Sequence, residues 1–243
     1  MFSLYKKEVQ SYFFSPFAYV ISALFLLVFS FSFIRGISTM DSNVLKFSFS
    51  EVFYNNFFYF IFMIPLLTMR TFAEERQAKT ETIWLSAPIT IWQVVLAKYL
   101  AVVTVFAVML ILTLVFPLLA FIKGSVVVSS LICVYAGFFF WGLVCIAVGM
   151  LTSALTDSPI LAAVFGEAAM LIVVFLDRFT DTALIQSIPA VEKVFRWFST
   201  QSRFNGFSQG LFSLGDLVFF ITLSAVVLVW TIIIIEKRRW SRG

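Results

Sequence analysis

The chain has 243 residues, of which 61% are hydrophobic and only 12% are charged, and its mean hydropathy is +1.02. This composition excludes an ordinary water-soluble domain, in which roughly a quarter of the residues are charged. The formal net charge is +4, but the basic residues lie beside apolar runs rather than on a soluble face, which argues against nucleic-acid binding. The sequence therefore predicts an all-α integral membrane protein with a single transmembrane domain over residues 1–243.

Six apolar runs are long enough to cross a bilayer, whose hydrocarbon core corresponds to roughly 20 helical residues. Pro65 and Pro117 fall within two of these runs, a position that membrane helices tolerate. Residues 124–156 carry no charge, and we expect one long, tilted or bent helix there. Asp157, Ser158 and Pro159 resemble a helix start, with a capping side chain and an early proline. The predicted spans are 17–34, 52–69, 99–122, 126–151, 158–176 and 217–235.

Two further segments are amphipathic and are expected to lie at the membrane surface. Residues 1–16 form an N-terminal interfacial helix, and their lysines can meet anionic lipid headgroups. Residues 184–198 form an extracytoplasmic helix between spans five and six, with apolar side chains at intervals of three or four. The apolar stripe of the first helix consists of Phe2, Tyr5, Val9, Tyr12 and Phe13.

Six crossings place both termini on the same side of the membrane. Ten of the 17 basic residues would lie on that side, including the cluster that follows the last span. Because positive charge accumulates in cytoplasmic loops close to the ends of spans, both termini are predicted to be cytoplasmic.

The cytoplasmic connection after span two is the most informative stretch. Its acidic and basic residues are followed by a Thr-Glu pair, an apolar turn, a proline, and a tryptophan with a lysine. This order resembles the permease subunits of type 2 ABC exporters, the ABC-2 family, and the resemblance extends over nearly the whole chain. Within that family the gliding-motility permease subunits look closest. The matching residues are Glu74, Glu75, Arg76, Thr80, Glu81, Pro88, Trp92 and Lys98.

The resemblance implies a coupling helix between spans two and three that docks into a cleft of an ATPase subunit. Ile83, Trp84 and Leu85 would provide its apolar contacts. Without the family pattern, the same stretch reads as a solvated loop whose charges keep it out of the bilayer. The coupling residues implied by the resemblance are Glu74, Glu75, Arg76, Thr80, Glu81, Thr82 and Trp84.

The same resemblance implies a complex in the bacterial inner (cytoplasmic) membrane. Two copies of an ABC ATPase would bind ATP and Mg²⁺, and a second permease, identical or related, would complete a dimer. No G-x-x-x-x-G-K-[ST] phosphate loop occurs in this sequence, so ATP hydrolysis is expected on a partner chain. We expect no cofactor in this chain. The sequence has no His and shows no metal-ligand cluster or nucleophile elbow, so catalysis is not predicted.

Glu167 is the only ionisable residue well inside a predicted span. Such a carboxyl group either faces the interior of the bundle in a functional role, or is protonated and hydrogen-bonded to a neighbouring helix. The residues leave both interpretations open. Gly137, Gly142 and Gly149 in the fourth span favour close helix packing over a bending function.

Two other functions compete with the exporter hypothesis. A transporter driven by an ion gradient would use Glu167 as its proton carrier and would need no ATPase. A non-transporting membrane scaffold would use residues 177–215 as a partner surface. The first predicts dependence on the carboxylate, and the second predicts no substrate-dependent ATP hydrolysis.

Overall fold

The computed structural model describes residues 1–38, 49–81, 89–123, 127–180 and 200–241, and these parts of the chain are helical without any strand. The predicted outer helix at 184–198 lies outside the described residues. The helices are α1 (Phe2–Phe14), α2 (Pro16–Ser38), α3 (Phe49–Thr68), α4 (Ala73–Gln77), α5 (Ile91–Leu112), α6 (Val115–Lys123), α7 (Val128–Leu155), α8 (Pro159–Thr180), α9 (Thr200–Ser208) and α10 (Leu214–Ser241).

Four helical stretches in the described residues have the length and composition of a membrane span. Pro159–Val174, within α8, is a shorter apolar stretch. Helices α3 and α8 coincide with the predicted second and fifth spans but are not among the four. The four stretches are Pro16–Gly36, Ile91–Phe121, Val128–Leu155 and Leu214–Arg238.

Helix α7 is the central element of the bundle. It is continuous over 28 residues and packs against α3, α5, α8, α9 and α10. Its three glycines allow these close approaches, because a Cβ atom at each would collide with a neighbour. The neighbour is Phe207 for Gly137, the Phe106 ring for Gly142, and the Thr68 side chain for Gly149. The close packing expected from these glycines is therefore confirmed.

The predicted third span differs from the structure in two respects. Helix α5 begins at Ile91 rather than at residue 99, and it contains Lys98 as a buried residue. The helix then breaks at Thr113 and Leu114 before α6 begins. Pro117 explains the break, because proline has no N–H to donate to the carbonyl of Thr113, four residues earlier, and its ring crowds that carbonyl.

The N-terminal helix α1 packs along α5 and touches α2. Tyr5 hydrogen-bonds to Thr104 in α5 at 2.8 Å, so part of the predicted apolar stripe faces protein. Phe2 and Phe14 are exposed, as are Lys6 and Lys7. Helix α1 therefore combines a protein-facing side with an exposed apolar and basic side.

Helix α9 was not foreseen from the sequence. It lies against α7, α8 and α3, with the rings of Phe204 and Phe207 fully buried. Arg203 pairs with Asp216 at the start of α10, with 2.6 Å between Nη1 and Oδ1. These contacts place this part of the 177–215 region inside the bundle.

Candidate functional site

The charged residues after α3 form a compact unit, the α4 segment (residues 69–81), built around five helical residues. Helix α4 ends in a Schellman motif, in which Thr80 N–H donates to Glu75 O at 2.8 Å and Lys79 N–H to Arg76 O at 3.0 Å. The motif requires a left-handed residue, and Lys79 adopts it with φ 56°. The motif therefore fixes the path of the chain beyond α4.

The amino end of the α4 segment is held by a side chain from α7. Helix α4 has no side-chain cap of its own, because the residue at its N-cap is Phe72. Ser153 Oγ accepts hydrogen bonds from the backbone N–H groups of Phe72 and Ala73, both at 3.1 Å. The same hydroxyl donates to Met69 O at 3.0 Å. One buried serine thus fixes both the turn after α3 and the start of α4.

The carboxyl half of α4 is held by Arg76, whose side chain is only 5% exposed. Its Nη1 donates to the carbonyl oxygens of Ala154, at 2.8 Å, and Thr156, at 2.7 Å. Its Nε donates to Glu81 at 3.2 Å. Burial, reinforced by the nearby positive charge of Arg238, lowers the pKa of Arg76 from its usual value.

A second arginine, Arg238 of α10, reaches the carboxyl end of α7, where Arg76 also binds. Arg238 Nη2 donates to Leu155 O at 3.0 Å, and its Nη1 lies 3.2 Å from Asp157 Oδ1. Arg76 Nη1 lies 3.4 Å from the same carboxylate oxygen. Basic side chains are favoured at the negative end of a helix dipole, where backbone carbonyls lack helical partners. The exposed Asp157 is therefore shared by two arginines, and its role as a helix cap stays a prediction.

Lys98 joins α5 to the α4 segment and to α1. Its Nζ lies 2.8 Å from Glu75 Oε1 and 3.2 Å from Glu8 Oε1, and its side chain is 2% exposed. The ammonium also lies 5.5 Å from the centre of the Phe72 ring. A buried lysine remains charged only where such partners replace its hydration, so the two glutamates make this position possible.

A more exposed ion pair lies beside it. Arg70 Nε donates to Glu74 Oε2 at 2.6 Å, and Arg70 Nη1 donates to Ser15 Oγ at 2.8 Å. The guanidinium also stacks on the Phe17 ring, 5.3 Å from its centre. The hydrogen bond that Arg70 donates to Glu74 raises the pKa of Arg70. This pair connects the α4 segment to the junction of α1 and α2.

These ion pairs line a cavity of about 250 Å³ between α1, the α4 segment and α5. Tyr12 also lines it and donates its hydroxyl to Leu67 O at 3.3 Å. Burial, followed by the negative charge of Glu8, raises the pKa of Tyr12 well above its usual value. The tyrosine therefore stays neutral at physiological pH.

The structure brings together four of the seven residues that the resemblance implied for coupling. Glu74, Glu75, Arg76 and Glu81 all form ion pairs within the chain. Thr80 is exposed and lines the cavity. Thr82 and Trp84 lie outside the described residues. The implied charged surface is thus used in part to fasten the segment to the bundle.

Sequence reasoning missed several residues of this site, namely Glu8, Ser153 and Arg238. For Glu8 a signal was available, because it lies on the same face of α1 as Tyr5 and Tyr12 and is buried there. A carboxylate on an apolar face indicates a partner elsewhere in the chain. Ser153 gave no such signal, since serine is common in membrane helices.

Glu167 lies apart from this site, on α8. It is half-buried, between the buried Met170 and the exposed Val164 on successive turns. No hydrogen bond or ion pair to Glu167 occurs among the described parts of the chain. Its position about ten residues along from Asp157 corresponds to roughly 15 Å of helix.

The chain was compared with known proteins by sequence. A family model described as an ABC-2 family transporter protein matches residues 36–235, from the end of α2 to the last turns of α10. No curated protein matches the chain. The match includes the whole α4 segment and all the described helices after α2, and the apolar composition agrees with it. This membrane protein therefore belongs to the ABC-2 family of transporter proteins.

Proposed function

We propose that this chain is the permease subunit of an ATP-driven exporter and forms half of a translocation pathway. A second permease, identical or related, completes the pathway, and two ATPase subunits bind ATP and Mg²⁺ at the cytoplasmic face. The chain crosses a bacterial cytoplasmic membrane six times, with α3 and α8 as the second and fifth spans and both termini in the cytoplasm. The proposal includes membership of the gliding-motility type of ABC-2 permease, on the resemblance noted above.

The observation that carries the proposal is the fastening of the α4 segment to three helices. Buried contacts join it directly to α5 through Lys98 and to α7 through Ser153, and Lys98 in turn joins it to α1 through Glu8. A surface that receives force from a partner must be rigidly connected to the helices it moves. A merely solvated loop would not need buried charges, which are costly to hold in place.

The same segment also presents an exposed surface. Gln77, Ala78, Lys79 and Thr80 are exposed, and Ala78 and Thr80 also line the cavity described above, while the charges behind them are held by intrachain partners. This outer surface is our proposed contact with the ATPase. Residues 82–88 would extend the contact, as the resemblance implies.

The first experiment is affinity purification of the tagged protein in mild detergent, followed by mass spectrometry and an assay of Mg·ATP hydrolysis. A co-purifying ATPase with a phosphate loop supports the proposal. Its reproducible absence would favour the gradient-driven or scaffold alternatives. Loss of surface gliding on depletion of the protein would support the gliding-motility assignment, and unchanged gliding would contradict it.

A matched pair of variants tests the docking surface itself. Gln77 and Gln209 are both exposed glutamines, the first on the α4 segment and the second just after α9. We expect Gln77→Arg to reduce ATPase co-purification about tenfold, which corresponds to roughly 1.4 kcal/mol of binding free energy. Gln209→Arg should leave it unchanged. Equal co-purification of the ATPase with both variants would show that the α4 segment is not part of the interface.

Charge reversal at Glu75 or Glu81 is also expected to uncouple transport from ATP hydrolysis. Both glutamates, however, pair with buried cations, so reversal also places like charges together inside the protein. Insertion and thermal stability must therefore be measured for these variants. Normal transport by both would contradict the coupling role.

Glu167 separates the proposed function from the gradient-driven alternative. Glu167→Gln replaces the ionisable carboxyl group with a neutral amide of similar shape. We expect it to keep ATP-dependent transport within about twofold of wild type. Loss of transport by Glu167→Gln would favour the alternative if wild-type transport also needs a proton gradient and no ATPase.

A further inference from the structure

We propose that Ser153 and Arg76 are positioning residues that cap each other's helices and so join α4 to α7 as one mechanical unit. Displacement of the α4 segment then passes directly into the central helix of the bundle. This inference rests on the proposed function only for the origin of the displacement. The junction itself can be tested on the chain alone.

The first half of the junction runs from α7 to α4. A helix of five residues cannot satisfy its own amino-terminal N–H groups and is too short to be stable in isolation. Ser153 supplies the missing acceptor to Phe72 and Ala73. An N-cap hydroxyl normally belongs to the capped helix itself, whereas here it comes from α7, 80 residues away along the chain.

The second half runs from α4 to α7. The last carbonyl groups of α7 have no helical donors, and Arg76 fills this need at Ala154 and Thr156. Because the arginine is buried and also held by Glu81, its direction is fixed. Each helix therefore depends on a side chain of the other for some of the groups that it cannot satisfy alone, while Arg238 of α10 serves the carbonyl at Leu155.

The junction leaves little freedom between the two helices. Met69 O, before α4, is held by the same serine, so the turn that leaves α3 cannot move independently of α7. At the other end of α7, Gly137 lies against Phe207 of α9, about 24 Å of helix away from Ser153. A shift at α4 would thus reach contacts deep in the bundle.

Amide hydrogen exchange of the purified chain tests the reciprocity. We expect Ser153→Ala to speed exchange about tenfold in residues 70–78 and also in residues 150–157, because displacement of α4 withdraws Arg76 from α7. Thr152→Val is the matched control, since among the described residues the Thr152 hydroxyl bonds only to Gly149 O in its own helix. It should leave residues 70–78 unchanged.

Arg76→Lys provides the reverse measurement and retains the positive charge. We expect it to speed exchange in the same two regions, again about tenfold. If Ser153→Ala affects only α7, or Arg76→Lys only α4, the two caps are independent and the proposal is overturned.

Exchange measured during turnover then tests whether the two helices move together. We expect Mg·ATP added to the purified wild-type complex to change the exchange rates of residues 70–78 and residues 150–157 together. A change in only one of the two regions would show that α4 moves on α7, and would overturn the proposal. If no ATPase co-purifies, the proposed function fails, while the exchange measurements still decide whether the junction exists.

Discussion

Lys98 and Glu75 lie 2.8 Å apart, measured from Nζ to Oε1, at a position where the lysine side chain is 2% exposed. Glu8, from the N-terminal helix, forms a second ion pair with the same ammonium, with 3.2 Å between Oε1 and Nζ. The lysine thus joins three helices that are far apart in the sequence. In an apolar setting such a charge is tolerated only with its partners in place. The protein is therefore expected to lose stability when any one member of the cluster is removed.

Removal of the buried ammonium should destabilise the protein strongly. Lys98→Met fits the space but leaves Glu8 and Glu75 without their shared cation, which costs about 3–5 kcal/mol by analogy with other buried pairs. We expect a clear fall in melting temperature in detergent. The double variant Lys98→Met with Glu75→Gln should recover part of the loss, because one uncompensated carboxylate has been removed.

Glu74→Gln is the control for that measurement. Its partner Arg70 is 31% exposed, and Glu74 itself is 45% exposed, so this ion pair contributes only about 0–1 kcal/mol. A melting temperature for Lys98→Met that falls no further than that of Glu74→Gln would show that the Lys98 cluster does not stabilise the fold.

The left-handed residue after α4 gives a second prediction, of increased stability. Lys79 has φ 56° and lies just after the C-cap residue Ala78, at the C′ position that glycine usually occupies. Lys79→Gly removes the steric cost of its Cβ, and we expect a gain of about 0.5–1 kcal/mol, opposed in part by the greater freedom of glycine in the unfolded chain. The measurement is thermal unfolding beside Lys7→Gly, an exposed substitution within α1 that should be destabilising. A loss of stability in Lys79→Gly would contradict the prediction.

The sequence predicted well those features that depend on local composition. The apolar runs gave helices at nearly the expected places, and Pro159 begins α8 as predicted. The starts of spans are less predictable, because a charged residue in the sequence indicates the end of a span even where other parts of the chain bury it. Lys98 lies inside α5 since Glu8 and Glu75, distant in sequence, neutralise it. Similarly, the sequence indicates that a membrane helix can tolerate Pro117, but it does not predict the break between α5 and α6.

The sequence indicates the α4 segment as a candidate site, which stays a prediction, and it does not indicate how the residues of that segment are held in place. The charges of the α4 segment indicated a functional connection, yet their partners came from other helices. The roles of Ser153 and Arg238 could not be predicted, because nothing in an isolated sequence places the carboxyl end of α7 beside α4. Such contacts are decided by tertiary packing rather than by local pattern.

Tyr12 gives a prediction for alkaline conditions. Its pKa in the folded protein is raised above the ordinary value of 10.0 by burial and by Glu8, so the neutral form is favoured in the fold. The associated stability is present below about pH 10 and is lost as the pH rises above it, where the unfolded chain ionises first. We therefore expect melting temperature to fall more steeply above about pH 10 in wild type than in Tyr12→Phe. Parallel curves would contradict this.

The glycines of α7 give the last prediction, because their close contacts have a matched control elsewhere in the bundle. In a helix, alanine is intrinsically better than glycine by about 1 kcal/mol, so both substitutions begin with a gain. At Gly206 the nearest atom among the described residues, Asp216 Oδ2, would lie 4.0 Å from a new Cβ atom, which is ordinary van der Waals contact. Gly206→Ala should therefore be neutral or slightly stabilising.

At Gly142 the same substitution meets the ring of Phe106, whose Cζ atom would lie only 2.6 Å from the added carbon. That ring is 1% exposed and stacks on Phe139, so it has little room to move away. Overpacking of this kind costs about 1–3 kcal/mol, which outweighs the gain in helix propensity. We expect Gly142→Ala to melt at a lower temperature than wild type, and Gly206→Ala at the same or a higher one. Equal stability of the two variants would mean that α5 and α7 can separate without cost, and that Gly142 is not required for their contact.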